Sequence, residues 1–296
     1  MNSDEAPYDL MVLYRGPLDS CNYSCGYCPF AKRKESLDDK RKDERALGRF
    51  VESVERLPFT SVGVFFTPWG EALVRKRYQQ AMVDLASMAH VHKVAIQTNL
   101  ATPPTWMAHL DEALKAKLAF WSTFHPGETS VDAFVGQVRA YVANGCRLSV
   151  GGVALDEHKD AIADLAAQLP REVPLWVNAA KRVHGPYTDV DASWWTALDP
   201  TFPTNAVHHE SLGHLCRAGQ DVISVDGEGN VRRCHFVDEV LGNFHTDDVS
   251  ALLQARACPN ATCGCHIGYV HLERLGLRVL YGEGLLERRR RLPVAQ

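Results

Sequence analysis

The sequence predicts an α/β fold in which parallel strands and helices alternate to form an open or partial barrel. Apolar, β-branched segments of strand length alternate with segments whose apolar residues recur at helical spacing. The strand segments are apolar at nearly every position, as expected for parallel strands covered on both faces. Six such units fill roughly 200 residues, too few for a closed eight-unit barrel.

The predicted units can be placed along the chain. Strands are predicted at residues 10–14, 62–66, 93–97, 119–124, 147–153 and 174–179. The intervening helical patterns cover residues 45–57, 72–89, 104–115, 131–143, 158–169 and 193–197. In such a fold the active site lies at the carboxyl ends of the strands and in the loops that follow them.

Beyond residue 198 the alternation stops. The segment LDPTFPTNAVHH is rich in Pro, Thr and Asn and predicts a linker. DGEGN then lies between two apolar segments, 222–225 and 231–234, and predicts a hairpin.

We therefore expect a barrel in residues 1–200, a small cysteine-rich unit in residues 206–275 and a tail in residues 276–296. The tail contains four consecutive arginines, Arg288 to Arg291. A basic run of this length is expected to be a solvated helix end.

Composition narrows the class of protein. Of the 296 residues, 46% are hydrophobic and 23% are charged, which is typical of a globular protein and excludes a disordered or fibrous one. The net charge of -4 lacks the basic excess of bulk nucleic-acid binding. No apolar run approaches the ~18 residues of a membrane span, and MNSDEAPYDL lacks the features of a secretory signal. We expect a cytoplasmic protein with no nucleic-acid or membrane partner.

The chain has nine cysteines, an odd number in a chain without an export signal. These properties argue against a disulfide framework and favour metal binding or chemistry. Eight of the nine form two groups near the two ends of the chain. Cys146 stands alone at the start of the fifth predicted strand, where we expect it to be a small buried apolar residue.

The first group, Cys21-Asn-Tyr-Ser-Cys25-Gly-Tyr-Cys28, follows the first predicted strand. Structural zinc needs four ligands in a closed shell. Three thiolates on one loop instead favour a [4Fe–4S] cluster with one iron left open. The alternatives are a zinc site completed elsewhere in the chain and three unrelated thiols.

CNYSCGYC resembles the CxxxCxxC signature of the radical S-adenosylmethionine (radical SAM) enzymes, and its position after the first strand is also similar. The resemblance implies a partial (β/α)6 barrel of the TIM type. It implies that the open iron binds the amino and carboxylate groups of SAM. A cellular reductant such as flavodoxin or ferredoxin then drives cleavage to methionine and a 5′-deoxyadenosyl radical, which abstracts a substrate hydrogen.

The same resemblance assigns cofactor-binding roles. Tyr27 matches a position near the adenine of SAM, and TPWGE is similar to the family's GGE-type motif, with Trp69 where Gly is usual. In that motif Gly70 and Glu71 would hold the SAM ammonium group. Residues at the ends of the third to fifth strands are expected to contact the ribose, carboxylate or adenine: Thr98, Asn99, Ser122, His125 and Gly151.

The second group contains five cysteines: Cys216, Cys234, Cys258, Cys263 and Cys265. Five thiols suffice for one four-thiolate site with one to spare, and tetrahedral thiolates suit either zinc or iron–sulfur. The spacing Cys…Gly…Cys across the hairpin resembles the start of the SPASM/Twitch extension of radical SAM enzymes. Since the later cysteines are too few for two further clusters, the resemblance implies a Twitch-like unit with one auxiliary [4Fe–4S] cluster. Which of the last three cysteines complete the site stays open.

We therefore expect a radical SAM enzyme that acts on a peptide or small-molecule substrate, with the auxiliary cluster aiding net oxidation or cross-linking. The alternative is a non-catalytic iron–sulfur or zinc protein that transfers electrons or organises a complex. Such a protein would need no SAM pocket. A radical methylase or methylthiolase would usually need an extra cysteine pair, a cobalamin domain or an RNA-binding module, and none is evident in the sequence.

Overall fold

The structure, a computed structural model, describes residues 7–30, 33–183 and 185–291. Within these ranges the strands are β1 Leu10–Arg15, β2 Val62–Phe66, β3 Val91–Thr98, β4 Leu118–Thr123, β5 Arg147–Ala154, β6 Leu175–Ala179, β7 His209–Glu210, β8 Leu215–Cys216, β9 Val222–Asp226, β10 Asn230–Arg232, β11 Val240–Asn243, β12 Arg256–Ala257 and β13 Thr262–Cys263.

The α-helices of the same ranges are α1 Leu37–Glu55, α2 Lys76–Ser87, α3 Glu112–Lys117, α4 Val131–Ala143, α5 Lys159–Gln168, α6 Asp189–Leu198, α7 Phe202–Ala206, α8 Val249–Leu252, α9 His266–Tyr269 and α10 Leu277–Tyr281. Short 3₁₀ helices cover Pro104–Met107, Asp156–His158, Glu273–Leu275 and Gly282–Gly284. No helix in the described ranges is both long enough and apolar enough to cross a membrane.

One large sheet organises the chain, with the strand order β11-β10-β9-β1-β2-β3-β4-β5-β6. Strands β1 to β6 are parallel and follow each other in chain order. Strand β9 joins the other edge of β1 in parallel, and β10 and β11 continue antiparallel. The fold is therefore α/β with a mainly parallel sheet, and the segment after residue 206 contributes strands to that same sheet.

The six predicted strands of the parallel core are confirmed, each to within two residues at either end. The first helix begins earlier than predicted, at Leu37, because Ser36 caps it. The Ser36 hydroxyl accepts from the Asp39 backbone, and the Asp39 carboxylate accepts from the Ser36 backbone. The predicted linker after residue 198 is partly wrong: Phe202–Ala206 is a helix whose first turn contains Pro203, a position that proline favours.

Side chains alternate between the two faces of the sheet. On the face that we call the helical face, Val64 and Phe66 pack beneath the helices. On the other, inner face, Phe65 of β2 stacks on Trp121 of β4 with ring centroids 5.5 Å apart. Trp121 in turn lies 5.6 Å from Trp176 of β6. Each contact passes over an intervening strand, so the sheet is curved about its inner face.

The end of the described chain covers this inner face. Ile267, Val270, Tyr281, Leu285 and Leu286 belong to the same buried cluster as the inner side chains of the strands. A Cβ on Gly63 of β2 would lie 2.9 Å from Leu286, so the segment approaches the sheet closely.

A buried ion-pair network fixes this segment. The Glu287 carboxylate is fully buried and lies 3.1 Å from Lys93 Nζ and 3.2 Å from Arg147 Nε. The expectation of a solvated helix end is wrong at Arg288, which is 1% exposed, because the chain turns inward to bury its apolar neighbours. Residues 292–296 of the expected tail lie outside the described residues.

Glu287→Ala is expected to lower the free energy of unfolding by about 3–5 kcal/mol, because it leaves the buried Lys93 ammonium without a counter-charge and removes one partner of the half-buried Arg147. Glu283→Ala is the matched control: its side chain is 78% exposed and lies 3.6 Å from Arg147, so its effect should stay within about 1 kcal/mol. Urea unfolding at neutral pH measures both. Equal effects would show that the Glu287 network does not anchor the segment.

Candidate functional site

The loop that carries the first cysteine group is clamped against the end of β2. The Glu71 backbone N–H donates to the Ser20 carbonyl over 3.1 Å. A Cβ on Gly70 would lie 1.9 Å from that carbonyl oxygen, so only glycine permits this contact. Arg75 adds a 2.8 Å hydrogen bond to the Ser20 hydroxyl. Ser20 directly precedes Cys21, so these contacts fix where the cysteines begin.

The same loop is also tied to the ends of β3 and β4. Asn99, directly after β3, donates from its amide to Asn22 Oδ1 over 2.9 Å. The loop after β4 supplies Glu128, whose carboxylate accepts from the Ser24 backbone over 2.9 Å. The cysteine loop therefore spans the carboxyl ends of three neighbouring strands.

His125, also after β4, contacts two residues of the loop through one ring nitrogen. Nδ1 lies 2.7 Å from the Tyr27 hydroxyl and 3.3 Å from Cys25 Sγ. Burial, and then His158, lowers the pKa of His125 to about 4, so the ring is neutral near pH 7. His125 thus serves as an uncharged hydrogen-bonding wall beside the thiols.

The thiols of Cys21, Cys25 and Cys28 line one pocket of about 230 Å³ at the carboxyl ends of the strands. The other lining residues are Tyr23, Phe30, Trp69, Gly70, Glu71, Gln97, Thr98, Asn99, Thr123 and His125. Five of the residues expected to bind SAM are among them: Gly70, Glu71, Thr98, Asn99 and His125. Tyr27 reaches the site through its hydrogen bond to His125.

Two other expected residues are not at the pocket, for reasons of strand geometry. Ser122 is fully buried, and its position alternates with those of Trp121 and Thr123, so it faces the helices. Thr123 lines the pocket instead. Gly151 lies on the inner face, but the Trp176 ring covers it, and a Cβ there would lie 2.1 Å from that ring. Because Gly151 has no side chain, the Trp176 ring can pack directly against its backbone.

The Glu71 carboxylate, 3% exposed, joins the loop after β2 to the end of β3. Oε1 accepts from the Leu73 backbone and from the Thr98 hydroxyl, each over 2.9 Å. Oε2 accepts from the Asn99 backbone over 2.5 Å. Burial raises the pKa of Glu71 to about 7 although these three hydrogen bonds lower it. With a pKa near 7, the Glu71 carboxyl group would ionise readily when a cation binds in the pocket.

Trp69 forms a wall between this pocket and a second one of about 240 Å³. The guanidinium of Arg15, at the end of β1, lies 4.1 Å from the Trp69 ring centroid and donates to the Thr67 carbonyl over 2.8 Å. Burial lowers the pKa of Arg15 to about 10, so it stays charged at neutral pH. His235, beside Cys234, also lines the second pocket. Neither Arg15 nor His235 was expected at the site from the sequence, although Arg15 ends the first strand as an active-site residue should.

All nine cysteines lie within the described residues, and none forms a disulfide. The five of the second group converge. Burial, and then the neighbouring thiols of Cys234, Cys265, Cys216 and Cys258, raises the pKa of Cys263 to about 12. Among the described residues, no three His, Cys, Asp or Glu side chains stand preassembled in a coordination geometry.

The five thiols divide between two environments. Cys216, Cys234 and Cys263 belong to one small apolar cluster with Tyr269 and Leu272. Cys265 packs instead against the inner-face cluster of the large sheet. Burial raises the pKa of Cys265, whereas the cations of Arg15, Lys181 and Arg288 lower it. Cys265 therefore faces the inner side of the sheet. Cys146 is buried and contacts the Met107 sulfur at 3.8 Å, consistent with an apolar role.

No family model and no curated protein matches the chain. Solved structures do. The radical SAM enzyme anSMEcpe with bound AdoMet, of the SPASM/Twitch subgroup, matches 93% of this chain and 87% of its own at a TM-score of 0.57 and 12% identity. The fold is that of a radical SAM enzyme.

Two further structures with this radical SAM fold are similar over most of the chain. Native anSMEcpe with bound AdoMet and Cp18Cys peptide matches 92% of this chain and 90% of its own at a TM-score of 0.54 and 12% identity. SuiB from Streptococcus suis matches 83% of this chain and 66% of its own at a TM-score of 0.52 and 13% identity.

Gly70→Ala should displace the cysteine loop and cost about 1–3 kcal/mol of stability, because its Cβ overlaps the Ser20 backbone. Gly26→Ala, within the loop itself, is the control, since nothing lies within 4 Å of its Cβ position. Thermal unfolding and thiol labelling rates compare the two variants. A Gly70→Ala protein that matches Gly26→Ala in both would contradict the clamp.

Glu71 predicts a pH-dependent stability. Its folded pKa of about 7 exceeds the unfolded value of 4.5, so the folded state holds the extra proton between these values. The free energy of unfolding should therefore fall as pH rises from 5 to 8, by at most about 3 kcal/mol from this residue. In Glu71→Gln this decrease should disappear, because the amide does not titrate.

Urea unfolding of both proteins at pH 5, 6, 7 and 8 isolates the effect, since other titrating groups cancel in the difference between them. Glu71→Gln should also be less stable at pH 5, because its amide NH₂ faces the donors of Leu73 and Thr98 or of Asn99. Parallel pH profiles would show that Glu71 does not titrate in this range.

Proposed function

We propose that this protein is a radical SAM enzyme with a partial (β/α)6 barrel and a Twitch-like auxiliary unit, acting on a peptide or small-molecule substrate. One observation carries the proposal: three thiols of a single loop and a buried carboxylate line the same pocket at the carboxyl ends of parallel strands. An iron–sulfur or zinc scaffold would not require that carboxylate. The similarity of fold to AdoMet-bound anSMEcpe supports the same conclusion.

The donor set fits a [4Fe–4S] cluster held by Cys21, Cys25 and Cys28. Three thiolates from one loop leave one iron open for SAM, as a closed zinc site would not. When bound, the cluster and SAM would supply one-electron reductive cleavage of the sulfonium, with an electron from a flavodoxin or ferredoxin. The Gly70 and Asn99 contacts would hold the loop in place during this step.

Glu71 would hold the SAM ammonium group. Oε2 accepts one hydrogen bond, from Asn99, and so keeps acceptor capacity for a cation. An ammonium at this position would lower the pKa of Glu71 and favour its charged form, giving a charge-assisted hydrogen bond. Thr123 and Gln97 line the same pocket and would contact the ribose or carboxylate.

Trp69 would separate the cofactor from the substrate. Its ring lines both pockets, and Phe30 and Arg15 brace it at 4.6 and 4.1 Å. A substrate in the second pocket would contact His235, which follows Cys234 in the sequence. It would approach SAM past the edge of the Trp69 ring. This position would let the auxiliary cluster accept an electron from the substrate, and the reaction class is accordingly net oxidation or cross-linking.

For the auxiliary [4Fe–4S] cluster we propose the ligands Cys216, Cys234, Cys258 and Cys263. The first, second and fourth share one apolar cluster. Cys258 directly follows β12, which pairs with the strand that carries Cys216. Cys265 is then the spare thiol, on the inner face. The residues around this site, 206–275, would form the auxiliary unit of a cytoplasmic enzyme.

Replacing Cys21, Cys25 and Cys28 together by Ala should abolish 5′-deoxyadenosine formation from SAM under reducing conditions, and should halve the iron content from about eight to about four atoms per chain. Iron analysis and chromatography measure these outcomes. Undiminished 5′-deoxyadenosine would contradict the assignment.

Cys263→Ala should lose the other half of the iron, whereas Cys265→Ala, its matched control, should retain it. Four irons with one tightly held zinc would make the second site structural.

A further inference from the structure

Arg288 is an electrostatic anomaly of the inner face. The side chain is 1% exposed, and its backbone adopts a left-handed conformation with φ 52°. Nε, Nη1 and Nη2 are all buried, and none has a hydrogen-bond partner among the described residues. The guanidinium lies 4.4 Å from the Trp176 ring centroid and 5.5 Å from that of Trp121. The guanidinium therefore packs against two indoles whose planes meet at 73°, and no carboxylate of the described chain neutralises it.

The carboxylate of the adjacent Glu287 does not neutralise Arg288, because it is already paired with two other cations. Glu287 pairs with Lys93 and Arg147. Its backbone carbonyl accepts from the Ser149 hydroxyl, which in turn accepts from Trp176 Nε1 over 2.9 Å. A buried guanidinium is strongly unfavourable unless an anion or several acceptors satisfy it, and the indole faces compensate only in part.

A second unpaired nitrogen belongs to His266, which lies beside one of these rings. His266 is 4% exposed, its ring centroid lies 5.3 Å from that of Trp121, and its Nε2 has no partner among the described residues. Nδ1 lies 3.2 Å from the Tyr269 hydroxyl. Burial, and then Arg288, lowers the pKa of His266 well below its usual value, so the ring is neutral. A neutral imidazole can donate from Nε2, so this nitrogen is a further unused donor near the same Trp121 ring as the Arg288 guanidinium.

The position of this group relative to the cysteine pocket follows from strand alternation. Trp121 precedes Thr123 by two residues on β4, and Thr123 lines the pocket. Two residues of strand span about 7 Å. Arg288, stacked on Trp121, therefore lies one inward-facing layer beneath the pocket that we assign to SAM. Lys181 and Arg15 add positive charge on the same side, since both act on Cys265 together with Arg288.

We propose that Arg288 binds a carboxylate group of the substrate, with the two indoles as walls and His266 as a further donor. This inference rests on the proposed function, because it names the class of substrate that the proposed enzyme would take. A carboxylate is planar, carries one charge and accepts from a guanidinium fork in two parallel hydrogen bonds. A phosphate would bring nearly twice the charge and three acceptor oxygens, which exceeds one arginine and one neutral histidine. The carboxylate belongs either to a peptide or to a small acid.

The test is a titration of the full chain with sodium acetate at constant ionic strength, balanced with sodium chloride, and without SAM. Near-UV circular dichroism reports on the two indoles, and the thermal midpoint reports on binding to the folded state. We expect a saturable change with acetate and none with acetamide. Arg288→Met should weaken acetate at least about tenfold, since charge-assisted hydrogen bonds are lost. Arg289→Met, which removes a neighbouring arginine bonded to the Glu172 carbonyl, should stay within about twofold.

N-acetylglycine and its neutral amide distinguish the two sources of the carboxylate. Tighter binding of N-acetylglycine than of acetate supports a peptide carboxylate, and equal binding supports a small acid. If Arg288→Met does not fold, Arg288→Lys keeps the charge without the fork and should bind several-fold more weakly. No saturable response, or equal responses in wild type and Arg288→Met, would overturn the proposal, as would loss of the acetate response on adding SAM. Since the titration needs no SAM cleavage, it fails or succeeds independently of the proposed enzyme activity.

Discussion

The site depends on one close backbone contact, that of Gly70 and Glu71 with Ser20. It joins the loop after β2 to the loop after β1, and only glycine permits the approach. The Glu71 side chain extends the connection to β3 by accepting from Thr98 and Asn99. The dipeptide Gly70-Glu71 thus fixes the carboxyl ends of β1, β2 and β3 relative to each other. Because Cys21 follows Ser20 directly, this contact would also determine the position of the cysteine thiols that hold the proposed cluster.

The parallel core could be predicted because its signal is local. Strands such as 62–66 are apolar throughout and bounded by helical patterns, so their limits follow from the sequence alone. The cysteine loop was equally accessible, since CNYSCGYC is contiguous. The face of a strand residue was harder to assign: Ser122 and Thr123 are neighbours of similar chemistry, and a one-residue choice decides which reaches the pocket.

What the sequence could not reveal is contact between distant segments. Val222–Asp226 reads as half of a hairpin, and nothing local shows that it also pairs with β1. From the sequence the run of arginines is expected to be solvated, because charged side chains are usually exposed. In the structure Arg288 instead packs against the Trp121 and Trp176 rings. The partner residues lie more than 100 positions away in the chain, so only the folded structure brings them together.

The cofactor pocket and the inner face of the sheet carry buried ionisable groups of opposite sign. On the cofactor side Glu71 is the buried charge, and its raised pKa leaves it ready to ionise beside an ammonium. On the inner face the buried charge is the Arg288 guanidinium. The second pocket carries both signs, since Arg15 and Arg232 line it together with Asp226 and Asp238. A cationic sulfonium cofactor and an anionic substrate would each be attracted to its own side and repelled from the other. Electrostatics would thus favour the cofactor ammonium beside Glu71 and the substrate carboxylate beside Arg288, one inward-facing layer of strand residues away.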